Sequence, residues 1–425
     1  MILKYWIGLL VVSFCLTPAW AASSGSNPAD YNQAFQKWQR QLVEIRRLRD
    51  QSQEARGAAR IALQQEFSTA IDEGDQLLAD FTAAAEHKFQ KNPDANSEVA
   101  KFLQLRVRSL NSHDEYESAA RITKLLLDNN IRSPEVYDQA AEAAYMTNDF
   151  DKADRYFKKA YTDATYRKKA ESLGLTQSRN KLLENLGYYK QQWKKEQAIR
   201  KSEAKANDLP RVRLATTKGD IVVELFENEA PKTVNNYVHL VEQGFYDDKS
   251  FFHVQPKLFA LAGSAKWNGK DTPEFNIPCE CYDNSNFRRH FRGSLSVFKT
   301  GKKLPDTGST MFFMPFTPSK EDDGRSTVFG RVIEGIDVLA QLQRRNSADR
   351  SAPKPDRILK AEVLRKRNHP YKPDRVSGLE APAGDDDETE PSSDEPTGDA
   401  TAEPEGDSTG AEKTGEANGS GPKQQ

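Results

Sequence analysis

The feature that most constrains how this chain folds is a change in the spacing of its apolar residues near residue 207. Before that point they recur at three- and four-residue steps, as in Phe35, Trp38 and Leu42. After it they alternate with polar residues, as at Val212 and Leu214. The first spacing is typical of amphipathic helices and the second of strands with one buried face. A chain of 425 residues can hold both, so we expect a multidomain α + β protein.

Residues 29–95 predict a helical hairpin. Gly and Pro are almost absent from Tyr31 to Lys91, and the apolar positions form two successive helical runs. The charged residues between them fit a solvated face. Asn92 and Pro93 then end the second helix, because proline breaks a helix interior. Two helices packed on each other explain the pattern.

Residues 97–205 contain an internal repeat with a period of 34 residues, the length of a two-helix repeat. The matched positions include Leu103 with Tyr137, Tyr116 with Phe150, and Ala119 with Ala153. Residues 134–160 resemble the tetratricopeptide repeat over its full length. We therefore predict an all-α helical-repeat region. Its concave surface is typical of a site for a protein partner, although a purely architectural role fits the same pattern.

Residues 210–366 predict a closed antiparallel β-barrel with two helices. Short alternating runs separated by turns favour antiparallel strands, and the run around Lys218 and Gly219 predicts a hairpin. Pro231 suits the first turn of a helix, and Ile336 and Leu339 belong to a second helix.

Residues 376–425 predict a disordered acidic tail. They hold 14 Asp or Glu and 2 Lys, and they are rich in Gly, Pro, Ser and Thr. Since the whole chain has a formal net charge of −2, the tail carries −12 and the remainder +10. The basic residues are too scattered for a continuous patch, so we expect no nucleic-acid partner.

The first 21 residues predict a signal peptide. Lys4 precedes an apolar run from Tyr5 to Leu16 that is too short to span a bilayer, and Ala19 and Ala21 provide a small-residue cleavage site. We expect export to the periplasm or the extracellular space, without stable membrane insertion after cleavage. An uncleaved anchor is the alternative. Cys15 would leave with the signal peptide.

Two cysteines then remain, Cys279 and Cys281. A Cys-x-Cys pair can be a redox pair or half of a metal site, with His290 as the nearest further ligand. No second cysteine pair or histidine cluster accompanies it. A structural pair in a loop is the favoured interpretation, and we expect no metal and no cofactor.

The β domain resembles the cyclophilins. The resemblance rests on four stretches in that family's order and spacing, which are residues 212–247, 292–297, 312–314 and 327–335. It covers residues 210–366 and reaches neither the helical region nor the tail. Cyclophilins are peptidyl-prolyl cis-trans isomerases, so the resemblance implies proline-containing peptides or partly folded proteins as partners.

Prolyl isomerisation needs no nucleophile, because it rotates a C–N bond against a barrier of roughly 20 kcal/mol. A site must hold the proline ring in an apolar pocket and stabilise the twisted amide better than either planar form. In the resembled family an arginine does this by donating toward the prolyl nitrogen. The resemblance places His253 at that arginine, which makes His253 the candidate catalytic residue.

The remaining candidate site residues also follow from the resemblance. Leu258 and Phe259 take pocket positions, and Phe313 is the proline-pocket phenylalanine. Leu261 and Met311 stand where glutamines bind the substrate backbone. Phe298 replaces a small residue, and Ser326 replaces a pocket-wall histidine. The apolar residues that would contact the proline ring are thus largely kept. The polar side chains that would bind the peptide backbone, which we call the polar clamp, are largely lost.

Three functions are compatible with these residues. The first is an exported isomerase with a degenerate active site that assists the folding of extracytoplasmic proteins. The second is a non-catalytic, chaperone-like module that binds peptides. The third is a helical-repeat scaffold with a silent barrel, in which Phe259, Phe298 and Met311 fill the groove.

Overall fold

The computed structural model describes residues 30–264, 275–282, 287–299, 306–349 and 352–376. All of them belong to one compact unit. The predicted signal peptide with Cys15, and the predicted acidic tail from residue 377 onward, lie outside the described residues.

Helices dominate the described chain up to residue 206. In order they are α1 (Tyr31–Glu54), α2 (Gly57–Lys91), α3 (Glu98–Ser112), α4 (Tyr116–Asp128), α5 (Pro134–Met146), α6 (Phe150–Thr162), α7 (Ala164–Ser172) and α8 (Thr176–Ala206). The predicted N-terminal helical region is confirmed. Its assignment to the tetratricopeptide repeats stays a prediction.

Local capping fixes where several of these helices begin. The Ser97 hydroxyl accepts the Ala100 N–H at the start of α3, and the Asp149 carboxylate accepts the Lys152 N–H at the start of α6. Each contact satisfies a backbone donor that has no partner inside the helix. Between α5 and α6, Asn148 has a φ of 66°, a left-handed conformation that asparagine tolerates well.

Aromatic side chains join the first hairpin to the helices that follow. Trp38 of α1 stacks on Phe81 of α2 with ring centroids 5.5 Å apart. Phe81 also contacts Phe102 of α3 at 4.4 Å. The hairpin therefore shares one buried core with α3, α4 and α5.

An eight-stranded antiparallel sheet follows the helices. Its strands are β1 (Arg211–Thr216), β2 (Gly219–Leu225), β3 (His253–Gln255), β4 (Phe259–Ala262), β5 (Ser294–Lys299), β6 (Gly308–Pro315), β7 (Val328–Glu334) and β8 (Ile358–Arg365), in the spatial order β3-β4-β6-β5-β7-β2-β1-β8. In the described residues two α-helices accompany it, α9 (Pro231–Glu242) and α10 (Ile336–Gln341), together with a short 3₁₀ turn at Lys320–Asp322. The predicted antiparallel sheet with two helices is confirmed.

The sheet curls so that its two edges approach each other. Next to β3, Ser250 forms a bridge with Arg357, which precedes β8. The Phe251 N–H donates to the carbonyl of Asp356 at 2.9 Å. These contacts join the ends of the curled sheet over a short stretch rather than along whole strands.

The two faces of the sheet have different partners. Leu214, Val223, Leu295 and Phe312 are fully buried in a core that also includes α9. Because successive side chains on a strand point to opposite faces, the residues between them lie on the outer face. The candidate site is on that outer face.

Asp114, in the turn between α3 and α4, ties the helical region to the sheet. It is fully buried and has a φ of 67°. Its two carboxylate oxygens each lie 3.1 Å from the Lys257 backbone N–H, and one also accepts from Arg344 at 2.8 Å. The Tyr116 hydroxyl donates to it at 2.9 Å. A buried carboxylate with this many donors is fully satisfied.

A buried ion pair forms a second connection. The Arg288 guanidinium is 2.7 Å from Glu196 and 2.5 Å from Glu203, both on α8. It also lies over the Phe226 ring, 3.6 Å from the centroid. Burial alone would raise the pKa of Glu196, but the hydrogen bond and charge of Arg288 outweigh it and lower that pKa.

Phe291 forms a third connection, through apolar contact. It precedes β5 in the chain but packs in the aromatic core of the helical region. Its ring centroid is 4.8 Å from Trp193 of α8 and 6.2 Å from Phe150 of α6. The helices and the sheet therefore share a hydrophobic interface as well as ion pairs.

Among the described residues, no helix combines the length and the apolar character that crossing a membrane requires.

We expect Arg288→Ala to destabilise the protein by about 3 kcal/mol, because it removes the buried cation that Glu196 and Glu203 share and leaves only Arg200 and Arg331 beside them. Urea unfolding followed by circular dichroism measures this. Lys124→Ala, which removes the exposed partner of Asp128, is the control and should leave the unfolding midpoint almost unchanged. Equal shifts for both variants would show that the Arg288 contacts do not hold the helices on the sheet.

Candidate active site

A row of side chains crosses four strands on the outer face of the sheet. His253 on β3 is paired with Leu261 on β4, Leu261 with Phe313 on β6, and Phe313 with Ser296 on β5. Directly paired residues in an antiparallel sheet point to the same face. The register therefore brings together four residues that are up to 60 positions apart in the chain.

Apolar side chains surround this row and form what we call the site cluster. Its members are Phe252, Leu261, Met311 and Phe313, which are buried, with Phe259 and Phe298 partly exposed against them. Phe259 meets Phe313 edge-on at 5.8 Å. Phe313 is 6% exposed and Met311 5%, so the floor of the cluster is filled by its own side chains. Phe259 and Phe298 form its accessible rim.

His253 lies at one end of the row, with its ring 5.8 Å from that of Phe259. Nδ1 lies 3.2 Å from the Ser347 hydroxyl, which can donate or accept, and 3.4 Å from the Ser347 backbone N–H, which can only donate and so favours Nδ1 as an acceptor. Nε2 therefore carries the hydrogen, and its nearest partner is Gln255 Oε1 at a long 3.5 Å. Burial lowers the pKa of His253 below 6.5, so the imidazole is neutral at pH 7. The Nε2–H is thus held only weakly by Gln255, and a ligand that accepts this hydrogen could replace the amide oxygen.

His290 lies at the other end of the row and was not predicted as a site residue. Its ring stacks on Phe313 with centroids 5.7 Å apart and planes 5° from parallel. Nε2 is 2.8 Å from the Ser296 hydroxyl, and Nδ1 is 3.0 Å from Asp323. The Tyr188 hydroxyl of α8 donates to the same aspartate at 2.6 Å. His290 therefore orients Phe313 and connects it to the helical region, and it is not a ligand beside the cysteines.

Two further predicted pocket residues lie in a turn and a bend rather than on strands. Leu258 is in the turn between β3 and β4, and its side chain is 47% exposed. Ser326 is buried, and its backbone N–H donates to the carbonyl of Asp322 at 3.2 Å. The structure thus brings together His253, Phe259, Leu261, Phe298, Met311 and Phe313. Leu258 is not among the apolar members of the cluster, and the pocket role of Ser326 stays a prediction.

The turn that carries Leu258 is held from two sides. Lys257 has a φ of 62°, and its N–H donates to Asp114. The Leu258 carbonyl accepts the Phe316 N–H at 2.8 Å. The left-handed conformation at Lys257 costs roughly 1 kcal/mol for a residue with a side chain. The buried aspartate from the helical region offsets this cost next to the site cluster.

The helical region has a cleft of its own, with a volume of about 340 Å³. Its walls come from α3, α5 and the helices beside them, and include Lys101, Gln104, Arg108, Glu135, Gln139 and Lys169. Leu105, Val107, Leu126 and Val136 line it as well, so the cleft combines an aliphatic surface with charged side chains, which the site cluster lacks. In the parts of the chain that the structure describes, no three His, Cys, Asp or Glu side chains come together as metal ligands.

Comparison with known proteins agrees with this geometry. The family model for cyclophilin type peptidyl-prolyl cis-trans isomerase/CLD matches residues 211–363. A peptidyl-prolyl cis-trans isomerase of Helicobacter pylori is 36% identical over 151 residues, which are 34% of this chain and 90% of that protein. One from Synechococcus elongatus is 34% identical over 151 residues, which are 36% of this chain and 94% of that protein.

A solved structure is also similar. The cyclophilin type peptidyl-prolyl cis-trans isomerase of Cryptosporidium parvum, crystallised in the presence of the dipeptide Ala-Pro, has a TM-score of 0.32 and 25% identity. The match covers 36% of this chain and 98% of that one. Given the identity and coverage of the Helicobacter pylori relative, this chain belongs to the cyclophilin-type peptidyl-prolyl cis-trans isomerase family.

We expect the two imidazoles of His253 and His369 to titrate on opposite sides of pH 6.5. Burial lowers the pKa of His253, whereas hydrogen bonds with the Pro370 carbonyl and Glu227 raise the pKa of His369. A proton NMR titration, assigned with His253→Asn and His369→Asn, measures both midpoints. A higher midpoint for His253 than for His369 would contradict the burial described for His253.

Proposed function

We propose that this chain is an exported peptidyl-prolyl isomerase that assists the folding of extracytoplasmic proteins, with His253 in place of the family's arginine. The observation that carries the proposal is the position of His253. Its Nε2–H, whose nearest partner is Gln255 at a long 3.5 Å, lies on the same sheet face as Phe259 and Phe313, which offer an apolar contact for a proline ring. Family membership supports the reaction type, since related chains are named for this activity.

The chemistry fits a slow enzyme. A donor to the prolyl nitrogen accelerates rotation about an X-Pro bond, because hydrogen bonding there weakens amide resonance. Arginine offers a permanent charge and five donors, whereas a neutral imidazole offers one donor and no charge. Losing a preorganised donor typically lowers a rate by about 10² to 10³. We therefore place the activity of this site below that of an arginine-containing site.

Proline-containing segments of partly folded proteins are the proposed substrates. Phe259 and Phe298 are the partly exposed members of the site cluster, so a proline ring would meet them first. Leu261 and Met311 offer no hydrogen bonds to the flanking peptide backbone. Substrate binding would then depend on apolar contact more than on backbone recognition, which favours unfolded chains with aliphatic or aromatic residues beside proline.

A second candidate function is peptide binding without catalysis. The observation that favours it is the burial of Leu261 and Met311 under the rim of the site cluster, where amide side chains would hold a substrate in register. Without that clamp, a bound peptide can adopt several registers, and few of them place its prolyl nitrogen at His253. A partner held in the cleft of the helical region would belong to this second function.

We expect the protein without residues 1–21 and 377–425 to accelerate cis-to-trans conversion of a short X-Pro peptide, and His253→Ala to lower that acceleration about tenfold or more. His253→Arg should raise it, because it supplies a charged fork of donors. Protease-coupled kinetics or exchange NMR measures the rates.

His87→Ala, in α2, is the matched control and should leave the rate unchanged. Equal activity of wild type and His253→Ala would contradict a catalytic role for His253. An inactive wild type together with an active His253→Arg variant would favour binding without catalysis. If all three proteins are inactive, the filled site cluster excludes prolyl peptides, and the helical region becomes the functional part of the chain.

Export is proposed from the N-terminal sequence alone. We expect the full-length chain, expressed in a Gram-negative bacterium, to be recovered from the periplasm with Ala22 as its first residue. Fractionation followed by N-terminal peptide mass spectrometry measures this. A chain starting at Ala22 after an initiator methionine is the control and should stay in the cytoplasm. Full-length protein recovered intact in the membrane fraction would instead indicate an uncleaved anchor.

A further inference from the structure

Cys279 and Cys281 lie in a segment that is fixed without help from their sulfur atoms. The Cys279 N–H donates to Asp306 at 2.7 Å, and the Glu280 N–H donates to the Thr327 hydroxyl at 2.9 Å. The Glu280 carboxylate accepts the backbone N–H groups of Lys232 and Thr233 at the start of α9. Because these contacts already hold the segment, a structural role does not account for the two thiols.

The two sulfur atoms are placed for reaction with each other. They are 3.0 Å apart, and both cysteines are free thiols. Cys279 is partly exposed, whereas Cys281 is only 2% exposed. A reagent from solution can therefore reach Cys279 first, and Cys281 lies directly behind it.

The surroundings favour a thiolate at Cys279. The hydrogen bond from Cys281 is the main cause that lowers the pKa of Cys279, to about 6, and it raises the pKa of Cys281. The Thr327 hydroxyl, 3.5 Å from the Cys279 sulfur, and the nearby charge of Lys299 act in the same direction on Cys279. The carboxylate of Asp306, which accepts the Cys279 N–H, has the opposite effect, because its negative charge disfavours a thiolate nearby.

We propose that Cys279 and Cys281 form a redox-active dithiol that reacts with low-molecular-weight disulfides, with Cys279 as the attacking residue and Cys281 as the resolving residue. In the first step the Cys279 thiolate attacks one sulfur of the disulfide RSSR. A Cys279–SR bond forms, the S–S bond of RSSR breaks, and one RS⁻ leaves.

In the second step Cys281 attacks the Cys279 sulfur. Its proton passes to solvent or to the departing thiolate, the Cys279–Cys281 bond forms, and the second RS⁻ leaves. The protein dithiol loses two electrons and two protons, and RSSR is reduced to two RSH. The direction of net transfer depends on the ratio of RSSR to RSH in the compartment.

A metal site does not explain the pair as well. His290, the nearest histidine in the sequence, is engaged by Ser296 and Asp323. In the described part of the chain, the two sulfurs are not joined by a third His, Cys, Asp or Glu in a metal-ligating group. Two ligands in a partly exposed loop do not make a closed zinc site.

The test uses the full chain, reduced and then treated with glutathione disulfide at defined ratios to glutathione. Acid quenching, thiol alkylation and tryptic digestion follow. Trypsin releases residues 271–288 as one peptide with both cysteines, separate from Cys15. In wild type we expect this peptide to contain an internal disulfide and to retain no glutathione.

Two variants separate the roles of the thiols. Cys281→Ser should trap a glutathione adduct on Cys279, because the resolving thiol is absent. Cys279→Ser should leave Cys281 about tenfold or more slower to react than Cys279 is in Cys281→Ser, because Cys281 is buried and its proton is held. Thermal unfolding of each variant establishes that it is folded before its reactivity is compared.

Lys299→Gln tests the electrostatic contribution with both thiols present. We expect it to slow the oxidation severalfold, whereas Lys354→Gln, an exposed lysine before β8, should leave the rate unchanged. The proposal is overturned if the wild-type peptide stays reduced under oxidising ratios, or if Cys281 reacts as fast as Cys279. Neither outcome depends on isomerase activity, so this test stands apart from the proposed function.

Discussion

The buried carboxylate of Asp114 is the contact on which the arrangement of helices and sheet depends. A carboxylate taken out of water is stable only when donors surround it, and here the donors come from the turn at Lys257, from Arg344 and from Tyr116. Arg292 reaches the same turn of the helical region through the Asp114 carbonyl. Since the Lys257 turn leads directly into Phe259, the helical region holds the β3–β4 turn in place beside the site cluster.

The helical region also supports the site cluster from a second side, through His290. In a site exposed at a loop tip, aromatic side chains move freely, but Phe313 is stacked on His290, which is hydrogen-bonded to Asp323 and through it to Tyr188 of α8. The shape of the apolar surface is thus preorganised, which favours tight contact with a matching ring. The same rigidity limits adaptation, so the missing polar clamp has no mobile substitute among these residues.

Much of the fold and part of the site could be predicted from the sequence. The alternation of apolar residues and the motifs that carry the resemblance can both be recognised in short stretches of the chain. The alternating runs predicted the antiparallel strands, and the resemblance placed Leu261, Met311 and Phe313 at site positions, where the register brings them together. Leu258 was expected in the pocket; its side chain is exposed in a tight turn, and its contact with a proline ring stays a prediction. Asp114 and His290 could not be found in this way, because their partners are distant in the chain and lie in other elements.

The packing of Phe291 bears on how such a chain can be divided. The Helicobacter pylori relative consists almost entirely of the matched β region, whereas here that region accounts for about a third of the chain. Phe291 is buried by Trp193 and Phe150, and Arg288 is buried by carboxylates of α8, so a break near Asn207 would leave an aromatic ring and a cation facing water. We therefore expect the sheet of this chain not to be exchangeable on its own, so that recombination would have to move helices and sheet together.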